Sequence, residues 1–251
     1  ASEISAENAV EISLEALREI TGSYHANISV LDTDKFSASQ PSPSNINDWL
    51  TMAEERNLQL MAAKIGVDIA KEDIDIATSG HYPTVALTAN VTSGDDEWDS
   101  FSTSNRVNTS SIGVNVTVPI YSGGATSSRV EAERFRFVDS SEDRERVHRS
   151  VVRDVRSNYY DVTASISRIK AFEQAVVSAQ SALKATEAGF EVGTRTIVDV
   201  LNSTRNLFDA RRNLSRARYG YVNSILALKL AAGNLSEDDV RGVNQGLRPA
   251  S

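Results

Sequence analysis

Cysteine is absent from the 251 residues, so neither a disulfide nor a thiolate metal site can form here. No run of about 18 apolar residues occurs, which excludes a transmembrane helix within this stretch of sequence. The opening residues lack the basic-then-apolar order of a signal peptide, so an exported product is expected to carry its signal outside them. Basic residues never gather on one face. They are interspersed with acidic ones along the helical segments, and the net charge is −8, a balance that argues against tracking a phosphate backbone. Histidine is scarce: His25, His81 and His148 lie in separate segments without paired ligand spacing, and no metal site or cofactor is expected. Ser167-Arg168-Ile169-Lys170 fits S-x-x-K, but no K-T-G follows it and it falls inside a helical run. No nucleophile, base and oxyanion donor can be assembled, so an enzyme is not expected.

What is present is helix, in unusual lengths. A hydrophobic fraction of 40% suits one large domain or two small ones. Between Ala125 and Glu191 there is no proline, and Gly189 is the one glycine. Val151, Val155, Tyr159, Val162, Ile166, Ile169, Phe172, Val176, Ala179 and Leu183 step by three or four, the spacing of a coiled-coil seam. At about 1.5 Å per residue such a helix extends roughly 100 Å. After a break at Val192-Gly193-Thr194-Arg195 a second helix, Arg195 to about Ala232, carries Ile197, Leu201, Thr204, Phe208, Leu214, Val222 and Ile225 and stops at Gly233. Small residues flank the seam at Ala175, Ser178, Ala179, Ser181, Ala182 and Ala185, allowing close approach on more than one side. A helical sheet or tube follows from that pattern.

The remaining segments differ in kind. A helix runs to Ile20, a polar stretch with proline covers residues 23–44, short helical matter follows near Ile46–Arg56, and a further helix spans Leu58 to about Ser79. Then the period changes to two. In TVALTANVT, Val85, Leu87, Ala89 and Val91 face one way. In SIGVNVTVPI, Ile112, Val114, Val116, Val118 and Ile120 alternate with Gly113, Asn115, Thr117 and Pro119. Segments of nine or ten residues cross a bilayer when tilted, and an apolar face opposed by a Thr/Asn face suits lipid on one side and water on the other. Two strands cannot close a barrel, so this reading requires oligomerisation.

The stretches HYPT, VPIYSGG, HRSVV, ASIS, QAVVSAQS and VGTRTIVDVL closely resemble the second structural repeat of TolC-type outer-membrane efflux factors. The resemblance implies a mainly α fold with a β-hairpin, in which long coiled-coil helices form part of a trimeric α-helical barrel and two strands join an outer-membrane β-barrel. It implies that residues 1–20 end a tunnel helix of the first repeat, 21–57 are equatorial, and 58–80 are a tunnel helix. Residues 81–122 would be the membrane hairpin with an extracellular loop at 93–110. Residues 123–233 would be a long helical hairpin with its tip at 192–195, and 234–251 a C-terminal equatorial region. Roughly half of a family member is missing, so a polypeptide carrying the first half is the expected partner.

The same resemblance assigns the break. In the family it closes the periplasmic end of the tunnel, with Val192, Gly193 and Thr194 matching the tip where a periplasmic adaptor docks. Arg195 matches an arginine whose polar links hold the entrance shut, and Asp199 an aspartate that the trimer repeats as an acidic ring. Two positions depart: the lock tyrosine falls at Phe190, and a second ring aspartate at Asn202. The implied function is a passive exit duct of the bacterial outer membrane, extending into the periplasm and serving an inner-membrane RND or ABC transporter in efflux or type I secretion. The alternative is a soluble coiled-coil adaptor or scaffold, in which Arg195 and Asp199 are an ordinary i,i+4 surface pair.

Overall fold

The computed structural model describes residues 2–25, 28–33, 36–96 and 105–249. It is mostly helical, with two small antiparallel sheets. In chain order the elements are α1 (Ser2–Thr21), β1 (Val30–Leu31), α2 (Ile46–Arg56), α3 (Leu58–Ser79), β2 (Thr84–Asp96), β3 (Asn105–Thr117), α4 (Ala125–Glu191), α5 (Ile197–Ala231), α6 (Glu237–Gln245) and β4 (Leu247–Arg248). They fall into two compact units, residues 1–58 with 149–251, and residues 59–148.

The first unit holds most of the buried side chains. Trp49 and Ala53 of α2 are buried, as are Leu228 of α5 and Ala232 at its C-cap. Two contacts fix this junction. Asn57, the C-cap of α2, donates through Nδ2 to the Ala231 carbonyl at 2.8 Å, satisfying an acceptor at the end of α5. Gly233 has φ +70°, and a Cβ built there would lie 2.4 Å from the Arg56 carbonyl oxygen, so glycine is required both for the turn and for the approach. Residues 30–39 are tied to α5 by two tyrosines. Tyr219 Oη accepts from Leu31 N at 3.0 Å, and Tyr221 Oη accepts from Ser39 N at 3.1 Å while donating to Ser39 O at 2.9 Å. Phe36 packs edge-on against Tyr221, and the Arg218 guanidinium lies over the Phe36 ring.

Every apolar residue of the expected α4 seam is buried or half-buried, from Val151 through Val155, Val162, Ile166 and Ile169 to Leu183. On α5 the outcome differs. Thr204, Leu214, Val222 and Ile225 are partly covered, but Ile197, Leu201 and Phe208 are exposed, and the buried positions are Leu207, Ala217, Tyr221 and Leu228. The reason is that α5 bears two apolar stripes. Closing the hairpin on α4 covers one and leaves the other outward.

In the second unit, α3 buries Leu60, Ala70 and Ala77, and α4 buries Val130, while Met61, Ile65, Ile69, Ile76, Phe135 and Val138 are exposed. The hairpin is a continuous ladder from Thr84↔Thr117 to Asp96↔Asn105. Its register pairs Val85 with Val116, Leu87 with Val114 and Ala89 with Ile112 on one face, and Thr84 with Thr117, Ala86 with Asn115 and Thr88 with Gly113 on the other. Each strand has 13 residues rather than the expected nine or ten, so pairing runs into residues 93–96 and 105–110, expected as loop. Backbone ladder bonds do not need apolar side chains, so the strands outlast the hydrophobic alternation toward the loop, whereas at the other end β3 stops at Thr117 and leaves Val118 and Ile120 of the expected strand outside it, where Pro119 lacks an N–H for the ladder. Residues 97–104 of that loop lie outside the described residues.

Candidate functional site

The tip of the α4–α5 hairpin is built from two interlocking helix caps. At the end of α4, Gly193 takes φ +75°, Thr194 N donates to the Gly189 carbonyl at 2.8 Å, and Gly193 N donates to the Phe190 carbonyl at 3.0 Å. This is the Schellman arrangement, which needs a residue free of the left-handed Cβ penalty at its centre. The Gly189 carbonyl also accepts from Arg195 N at 3.1 Å and from Thr194 Oγ1 at 2.9 Å, so one oxygen gathers three donors of the turn.

Two residues later α5 begins, with Thr196 as its N-cap. Thr196 Oγ1 accepts from Asp199 N at 3.3 Å, and Asp199 Oδ2 accepts from Thr196 N at 2.9 Å and from Thr196 Oγ1 at 2.8 Å. The side chains therefore close a reciprocal capping box that satisfies donors at the helix start. These hydrogen bonds hold the Asp199 carboxyl below its ordinary value. The Thr196 backbone bond contributes most and the hydroxyl next; partial desolvation opposes them, and the positive charge of Arg195 adds a small further lowering.

Arg195 and Asp199 do not form the i,i+4 ion pair that an ordinary helix surface would offer; the carboxylate is bonded by Thr196 instead. The arginine stem instead lies across Gly189, where an added Cβ would come 2.7 Å from Arg195 Cγ. Arg195, Phe190, Val192 and Asn202 are all exposed in this chain. The hairpin brings Phe190, Arg195 and Asp199 to one end. Farther along, Thr186 Oγ1 meets Ser203 Oγ at 3.1 Å and Arg218 meets Glu173 at 3.1 Å, two bridges whose midpoints in sequence both fall at the turn. Thr196 was not singled out from sequence, and Gly189 was noted there only as the one glycine of its helix. Their signals were a T-x-x-D pattern at a helix start and a lone glycine in a glycine-free helix.

One chain thus carries long paired helices, a capped tip and a two-faced antiparallel hairpin. Residues 49–234 match the family described as Outer membrane efflux protein, and the chain belongs to that family. It is 48% identical to Outer membrane protein TolC of Vibrio cholerae over all of its own length and 57% of that protein's. It is 41% identical to Outer membrane protein TolC of Escherichia coli, again over its whole length and 52% of the relative's. The chain thus spans about half the length of the curated relatives it matches. Among solved structures, the open state of the Neisseria gonorrhoeae MtrE outer membrane channel aligns with a TM-score of 0.70 at 18% identity, covering 94% of this chain and 53% of that one. The place of this protein is the bacterial outer membrane.

Proposed function

We propose that this chain forms the second half of each protomer in a trimeric exit duct, gated at its periplasmic end and performing no chemistry of its own. The observation that carries the reading is the pairing of a two-faced β-hairpin, exposed at residues 84–94 and 108–117, with a capped helical hairpin in one chain of this family. The aliphatic face of the hairpin would meet outer-membrane lipid and the Thr/Asn face the lumen. The tip at 192–195 would close the tunnel and receive a periplasmic adaptor through Val192, Gly193 and Thr194, with an RND or ABC transporter beyond it in the inner membrane. Arg195 would hold the closed state, and three copies of Asp199 would form an acidic ring, with the neutral Phe190 and Asn202 leaving fewer polar links and one charged layer fewer.

The test is ion conduction. Assembled channels in planar bilayers are expected to prefer cations and to be blocked by a trivalent cation from the periplasmic side. A protein recovered wholly in the detergent-free soluble fraction would instead support a soluble adaptor.

A further inference from the structure

Like charges gathered around one axis oppose each other's ionisation. If Asp199 lines the closed end, each carboxylate is repelled by its two symmetry mates, and the first protonation moves to higher pH. The tip contains an opposing effect within a single copy. Both bonds into the carboxylate, from Thr196 N and Thr196 Oγ1, end on Oδ2, and among the described residues none donates to Oδ1. The group is therefore gripped by one oxygen and presents the other.

We propose that Thr196 is a positioning residue of the closed end: it fixes the Asp199 carboxylate through Oδ2, stabilises its ionised form against the neighbouring copies, and leaves Oδ1 available to multivalent cations in the lumen. This rests on the assignment of Asp199 to that end. The charged groups of the hairpin nearest in sequence are Glu187 and Glu191 on α4, Arg195 in the turn and Arg205 on α5. Arg195 is the charge acting on the carboxyl, and it does so less than either Thr196 bond. The hydroxyl can be removed without touching the backbone bond, because Thr196→Ala deletes Oγ1 and keeps the N–H, while Thr196→Ser restores the oxygen.

The experiment titrates block by lanthanum ion in planar bilayers, using the assembled channel, over about pH 3 to 7, the range in which carboxyls ionise. In Thr196→Ala, block is expected to disappear at a higher pH than in the native channel and to weaken roughly three- to tenfold near neutrality, the scale of one partly solvated charge-assisted hydrogen bond. Thr196→Ser is expected to restore both values. Asp199→Asn keeps an acceptor for the cap while removing the charge, and is expected to abolish block at every pH. If Asp199→Asn abolishes block but Thr196→Ala keeps the native pH midpoint, the positioning role is overturned and the acidic ring stands. If Asp199→Asn leaves block intact, the ring assignment fails and the role of Thr196 falls with it. A raised resting conductance in Thr196→Ala with an unmoved midpoint would mark a merely structural cap and also overturn the proposal.

Discussion

Arg195 contributes to the tip in two separable ways. Its backbone N–H belongs to the cap, through the Gly189 carbonyl, and its guanidinium is free of that duty. Arg195→Ser keeps the first and removes the second, along with a planar set of donors that lysine cannot copy. The expected outcome is a rise in single-channel conductance without loss of helicity, and Phe190→Tyr in that background should partly reverse it by returning a hydroxyl. Unaltered conductance in the serine variant would remove Arg195 from the gate. Gly189→Ala attacks the same side chain from beneath. With a Cβ placed 2.7 Å from Arg195 Cγ the stem must move, so conductance should rise to a smaller extent while circular dichroism stays native.

At the scale of elements, the caps decide where helices start and stop. Gly193→Ala should destabilise the hairpin by about 1 to 2 kcal/mol, the cost of a left-handed non-glycine residue. Gly233→Ala should be worse, about 3 kcal/mol or more, because strain adds to a collision with the Arg56 backbone; denaturant midpoints of the two variants would rank them. Helix α6 is held by charge. Asp239 is bonded by Lys229 and by Ser236 N at 2.9 Å, and its carboxyl lies below the ordinary value, with the Lys229 bond as the largest cause. A depressed carboxyl stabilises the fold above its unfolded pKa of about 3.9 and loses that contribution as pH falls through the lower folded value. Protection of the amides in residues 237–245, taken relative to their intrinsic exchange rates, should therefore fall below about pH 4, and in Asp239→Asn it should be low across the whole range.

These elements were unequally legible. The α4 seam could be read because one apolar stripe repeats in a helix without proline. On α5 the sequence shows the apolar period but not which of two stripes faces α4: Ile197, Leu201 and Phe208 are exposed in this chain, and Leu207, Ala217, Tyr221 and Leu228 are buried. Strands β1 and β4 left no local signal, for two residues at 30–31 pair with two at 247–248 across nearly the whole chain. At the tip, the family motif pointed to Asp199, whereas the geometry revealed its bond to Thr196, a local rule present in the sequence but overshadowed by the motif.

At the scale of the molecule, unpartnered surface dominates. Val85, Leu87, Val91, Ile112 and Val114 of the hairpin, Ile65 and Ile69 of α3, and Ile4 and Ile12 of α1 are all exposed, and among the described residues no further strand pairs with either outer edge of the two-stranded ladder. Each of these is a surface that a first half-repeat, a neighbouring protomer or lipid would cover, and open edges are not tolerated in hydrocarbon. The outward stripe of α5 suits a helix packed on its far side, as a tube of helices requires. The proposal most exposed to test is that these surfaces are covered in an assembly around a threefold axis. Native mass spectrometry of the detergent-extracted assembly tests it most directly: the expected result is a threefold particle with two half-repeats per protomer, and a stable, monodisperse monomer, soluble without detergent, would contradict it.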